Sequence, residues 1–161
     1  MYKKSLRFAT LLLFIFAFSS ANLLSQNCNT LLKVEKDRSF QSADEDGAIF
    51  MMELTNQSAS TQRYSISTEF MEVSCANKTL RTSSPNVVLS TSLVEANSRK
   101  TIGGEVNVMP GQTYQFQVLV NAPSSKDYDK WSCIKILANT QKCQEAASTI
   151  LSVYLPDPSE Q

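Results

Sequence analysis

Apolar side chains recur at every second residue in two stretches of this chain, and that spacing restricts the fold more than any other feature. From Arg63 to Phe70, Tyr64, Ile66, Thr68 and Phe70 fall on one side, with Arg63, Ser65, Ser67 and Glu69 on the other. From Thr113 to Val120, Tyr114, Phe116, Val118 and Val120 alternate with Thr113, Gln115 and Gln117. A period of two belongs to a strand with one buried face, because successive side chains point to opposite sides of a sheet. Weaker alternation predicts further strands at Ala48–Leu54 and Val87–Leu93. Buried runs at Trp131–Ala138 and Thr149–Leu155 predict two more, and Leu31–Val34 and Thr101–Val108 complete the set. Turn residues separate these runs, at Asp46-Gly47, Asn56-Gln57-Ser58, Ser84-Pro85-Asn86, Pro110-Gly111 and Ala122-Pro123-Ser124. Helical spacing is almost absent. The pattern predicts an all-β fold, an antiparallel β-sandwich of about 7–9 strands.

The first residues have a different character. MYKKSLR is followed by 11 mostly apolar residues from Phe8 to Phe18 and then by small residues, the arrangement of a secretory signal peptide. The apolar run is shorter than the roughly 20 residues that a membrane-spanning helix needs. Cleavage is expected after Ala21, or as late as Ser25. One sandwich domain is then expected over 27–155, with a flexible tail at 156–161. Cys28 follows Asn27 where a lipobox requires a small residue, so lipidation is not expected. Export would place the protein in the periplasm, at the cell surface or outside the cell.

Charge narrows the function. Of 15 basic residues, Lys3, Lys4 and Arg7 lie in the signal segment, which leaves 12 against 15 acidic ones, a net of −3. Such a balance argues against nucleic acid as a partner and against a Lys/Arg-based membrane anchor. No histidine occurs anywhere. Ser-His-Asp, Cys-His and His-ligated metal chemistry are therefore unavailable to this chain alone. The carboxylate pairs Glu69/Glu72 and Asp127/Asp129 carry no feature that would separate an acid from a base. No catalytic residue is assigned.

The motifs Leu54-Thr55-Asn56, Tyr64-Ser65-Ile66-Ser67, Met109-Pro110-Gly111-Gln112-Thr113-Tyr114 with Pro123, and Ile134-Lys135-Ile136-Leu137-Ala138-Asn139 resemble those of secreted bacterial Ig-like and fibronectin type III-like modules. In that group a strand ends in a Thr-Asn turn and a Pro-Gly turn opens a later strand. The resemblance implies that the antiparallel β-sandwich is Ig-like, and it covers about two thirds of the chain. Four cysteines and a long insertion between Cys75 and Glu105 depart from it.

Those cysteines, Cys28, Cys75, Cys133 and Cys143, are even in number and lack the C-x-x-C spacing of metal or redox sites, so disulfides are expected in an exported protein. If the first strand pairs antiparallel with Ala48–Leu54, Cys28 starts at the end where the Asn56–Ser60 turn lies, and Cys143 falls at that end too. Cys75 lies at the other end, where the Trp131 strand begins, and the alternation puts Cys75 and Cys133 on solvent-facing positions. The expected bridges are Cys28–Cys143 and Cys75–Cys133.

Two ligand sites are conceivable. Asp44 and Asp46, beside Glu45 and Gly47, supply hard oxygens for Ca²⁺, although that ion takes 6–8 ligands and the solvated-turn reading is the simpler one. Tyr128 and Trp131, around Asp129 and Lys130, would stack on sugar rings if both were exposed, while a core or rim position suits a tryptophan better. The expected activity is that of an exported, non-catalytic binding or structural-association module, with an envelope or extracellular protein as partner. A carbohydrate-binding module with a polysaccharide partner is the alternative.

Overall fold

The computed structural model describes residues 29–72, 75, 86–121, 127–141, 143 and 146–157. Nine strands follow in chain order: β1 (Thr30–Val34), β2 (Phe40–Ser42), β3 (Ala48–Asn56), β4 (Gln62–Phe70), β5 (Thr91–Glu95), β6 (Glu105–Val108), β7 (Thr113–Val120), β8 (Lys130–Asn139) and β9 (Ala147–Leu155). They form two facing sheets, one ordered β1-β3-β7-β5 and the other β2-β9-β8-β4-β6. The protein is an all-β, Ig-like sandwich.

The inward residues of the alternating runs make the core. Phe50, Met52 and Leu54 of β3, Tyr64 of β4, Phe116 and Val118 of β7, Ile136 of β8 and Leu151 and Val153 of β9 are wholly excluded from solvent. Burying a large apolar side chain stabilises by about 1.5–3 kcal/mol, so this layer is the main force holding the sheets face to face. Tyr64 also uses its polar end: its hydroxyl lies 2.9 Å from Thr30 Oγ1, linking β4 to β1 across the sandwich.

The chain crosses between the sheets at every connection except that from β8 to β9, and two of these changes shape the sheet edges. After β1 a 3-10 turn over Glu35–Asp37, with Lys36 and Asp37 in the left-handed region, swings the backbone away from β3. It re-enters as β2, which pairs with β9 of the opposite sheet. The second change lies between β5 and β6, which belong to different sheets although they follow one another.

Several expectations need correction. The sheets are not wholly antiparallel, since β2 runs parallel to β9 with Phe40 opposite Ser152. The sequence reading missed β2, whose three residues are too few to show a period. The strand expected at Val87–Leu93 starts later and runs further, over Thr91–Glu95, although Leu89 does pack into the core and Val87 and Leu93 against it. The strand expected at Thr101–Val108 shortens to Glu105–Val108, because Thr101 bridges to Val94 of β5 instead.

Candidate functional site

The loops at one end of the sandwich are held by a buried polar cluster. Asn56 ends β3 with no solvent exposure. Its Nδ2 donates to the carbonyls of Ser60 and Val108, 2.8 Å each, while Oδ1 accepts from the backbone N–H and the hydroxyl of Ser58. Its backbone N–H donates to Gln112, and its carbonyl accepts from Gly111 at 2.7 Å. Gly111, at φ 71°, supplies the left-handed turn that brings its N–H there. Buried Gln62 extends the network, donating to the Ser58 and Ser60 hydroxyls and accepting from Thr140. Asn56 therefore serves as a structural hub, and its side-chain amide is fully occupied. Beside the cluster lies an open, polar depression of about 310 Å³ formed by Thr61, Gln62, Arg63, Asn107, Thr140 and Gln141.

At the opposite end, Cys75 and Cys133 form a disulfide with Cα atoms 5.5 Å apart, closing a sequence separation of 58. Cys133 does occupy the outward parity of β8, yet it is completely buried and Cys75 is 8% exposed, against the solvent-facing position expected of both. The outward side of β8 is covered here: Asn86 Nδ2 donates to Cys133 Sγ at 3.1 Å and to the carbonyl of Met71. Cys143 is also disulfide-bonded. Its expected partner, Cys28, lies outside the described residues, as do the expected signal segment and cleavage site.

Trp131 belongs to the same covered face. It is 6% exposed and packs against Phe40 of β2 and Tyr154 of β9, with ring centroids 5.4 and 5.2 Å away. Its indole N–H is buried without an acceptor among the described residues. Tyr128 is half-buried in the turn before β8, and the structure shows no ring contact between it and Trp131. The ring left open is Phe40, at 42% exposure, which composition gave no reason to single out.

The candidate calcium ligands serve local structure. Asp44 Oδ1 accepts the backbone N–H of Asp46, and Asp44 bridges to Gly47 in the tight turn before β3. Asp127 pairs with Lys130 at 2.7 Å, and Asp129 accepts the Tyr154 hydroxyl. No three of His, Cys, Asp or Glu come together in a metal-holding group among the described residues.

The sheet edges are the remaining surfaces on which another molecule could be recognised. The free edge of β5 is closed, since Glu95 N–H donates to the Lys100 carbonyl and Ile102 N–H to the Leu93 carbonyl, both at 2.9 Å. On β1, Gln57 N–H donates to Asn29, which fixes the ladder so that Thr30, Leu32 and Val34 direct their backbone groups away from β3. On β4, β6 covers only Gln62–Ser65, and the strand continues beyond it to Phe70. Strand edges of this kind are templates for pairing with another chain.

No protein-family model and no curated protein matches this chain in sequence. Similar solved structures include a family 123 glycoside hydrolase from Clostridium perfringens, with TM-score 0.52 and 8% identity over 80% of this chain and 27% of that one. A FixG-related protein from Vibrio parahaemolyticus has TM-score 0.47 and 8% identity, covering 79% of this chain and 94% of its own. A Salmonella enterica SafA pilin in complex with the SafB chaperone has TM-score 0.46 and 12% identity, covering 85% and 58%. At these identities the likeness concerns the fold alone.

Proposed function

We propose that this chain is an exported, non-catalytic Ig-like module of the cell envelope that works by associating with another protein. The observation that carries this reading is the set of strand edges left unpaired among the described residues on both sheets, at β1 and along the second half of β4. Unpaired backbone donors and acceptors recognise an extended chain whatever its sequence, and side chains beside them add selectivity. The frame that presents the edges is stiff. The Asn56 cluster ties the loops at one end, and the Cys75–Cys133 bridge ties the chain at the other. A structural disulfide is typical of an oxidising, extracytoplasmic compartment. Among the described residues, no helix is long and apolar enough to cross a membrane.

Photo-crosslinking residues at the exposed positions Leu31, Phe40 and Glu69, combined with thiol alkylation of the protein from envelope fractions, test the reading. The expected result is oxidised cysteines and a discrete adduct with another protein. Four free thiols, or no adduct at any position together with retention on insoluble polysaccharide, would replace it with another reading.

A further inference from the structure

We propose that the edge of β4 at Thr68 and Phe70, unpaired among the described residues, accepts an extended strand from the partner protein, with a basic side chain of that strand facing Glu69. The inference rests on the association reading above and specifies its site and chemistry.

Backbone direction along β4 is fixed by one bond. Met71 N–H donates to the Cys133 carbonyl at 2.9 Å, continuing the ladder in which Phe70 lies opposite Ile134. In an antiparallel pair, hydrogen-bonded and non-hydrogen-bonded positions alternate. Met71, Glu69 and Ser67 therefore face β8 with their backbone groups, and Thr68 and Phe70 face the other way. On that other side β6 stops at the pair Ser65↔Glu105. Just before Glu105 the chain passes through Gly103 and Gly104 from the opposite sheet, where Ile102 pairs with Leu93. The position beside Thr68 and Phe70 thus has no strand among the described residues. Two N–H and two C=O groups are presented in line with β6, enough to register an added strand of roughly four residues, about 14 Å long.

The other edges are less suited. That of β5 is hydrogen-bonded to 100–102. β2 is three residues long. β1 carries Lys33, paired with Glu53 at 3.1 Å, and charge on an edge is a device that discourages pairing. β6 begins at Glu105, which is engaged with Arg63 at 3.4 Å.

Side chains set the chemistry of the incoming strand. Thr68 and Phe70 look inward, with the Thr68 hydroxyl 3.0 Å from that of Thr91, so the added strand needs apolar residues on its inner face. Glu69 is exposed on the outer face. Its cross-strand neighbour is Lys135, yet no ion pair within 4.0 Å closes between them among the described residues. An unpaired carboxylate next to an open position favours Lys or Arg opposite it, since opposite charges across strands attract and like charges repel.

The test uses the oxidised, ¹⁵N-labelled protein and two blocked heptapeptides, one alternating valine with lysine and one alternating valine with glutamate. Amide exchange at Thr68 and Phe70 should slow at least about tenfold in excess lysine peptide, with Thr30, Leu32 and Val34 unchanged, as new backbone hydrogen bonds protect those groups. The glutamate peptide should bind about threefold to fivefold more weakly, and Glu69→Lys should reverse that preference. Thr68→Pro removes a backbone donor that β8 does not use and should abolish binding, whereas Thr68→Ala retains it. Absence of protection at Thr68 and Phe70 with millimolar peptide, protection at β1 instead, or an unchanged preference in Glu69→Lys would overturn the proposal. Envelope crosslinks that persist in such a case would locate association elsewhere and leave the broader reading standing.

Discussion

The side-chain amide of Asn56 donates to the carbonyl of Val108 at 2.8 Å, joining positions 52 residues apart. One fully buried carboxamide thereby fixes the end of β3, the loop after it, and the junction of β6 with the Pro110-Gly111 turn. Buried groups that lose such partners bear their desolvation cost uncompensated.

Asn56→Ala should therefore destabilise the protein by about 2–4 kcal/mol, since two carbonyls and the Ser58 donors lose their partner. Asn56→Asp should behave no better at neutral pH, because it keeps the acceptor, removes both donors and buries a charge. Urea denaturation of both variants checks this. A loss under about 0.5 kcal/mol, the ordinary effect of a surface substitution, would show the cluster to be peripheral.

Replacing Cys75 and Cys133 together by alanine should lower stability by about 4 kcal/mol, from the loop entropy released over a separation of 58 residues. The cavity left at fully buried Cys133 adds to the loss. Denaturation of the oxidised parent and the double variant side by side measures it, with Cys28 and Cys143 left intact.

Tyr114 should make stability fall at alkaline pH. Its hydroxyl is buried without a partner among the described residues, and burial, followed by the Glu95 charge, raises its pKa above the ordinary 10.0. The stabilising contribution of the neutral phenol is whole below pH 10.0, the unfolded value, and is lost as pH rises from there through the higher folded value. Tyr114→Phe should be as stable as the parent at pH 7, or more stable by up to about 1 kcal/mol, and should lose less between pH 9 and 12. Thermal melts across that range decide the matter.

Trp131 is the single tryptophan and reports on the covered face of β8. Phe40→Ala removes the ring 5.4 Å from the indole and should shift its emission to the red and increase quenching by acrylamide. Phe40 is 42% exposed, so the accompanying destabilisation should stay near 1–2 kcal/mol. An unchanged spectrum would mean that other groups, not Phe40, shield the indole.

The sequence by itself determined the fold class and the composition of the core. Alternation at Arg63–Phe70 and Thr113–Val120 is local information, and a period of two admits only one buried face, so Tyr64, Phe116 and Val118 could be assigned to the interior before any pairing was known. The same alternation, with one assumed pairing of first strands, also yielded the Cys75–Cys133 bridge. Tertiary structure alone decided what depends on long-range partners. β2 exists because Ser39 and Ala43 bond to β9 more than a hundred residues later, a contact that leaves no mark in three residues of sequence. Asn56 reads as a turn residue until Val108 and Gln112 are brought beside it. Trp131 and Cys133 stand on a face that alternation assigns to solvent and that Phe40, Asn86 and Tyr154 cover. Among the described residues, the unpaired edge of β4 arises where the chain, at Gly103 and Gly104, crosses between sheets. Periodicity tells which side of a strand is buried, while edges, caps and covered outer faces follow from which strand arrives next to it.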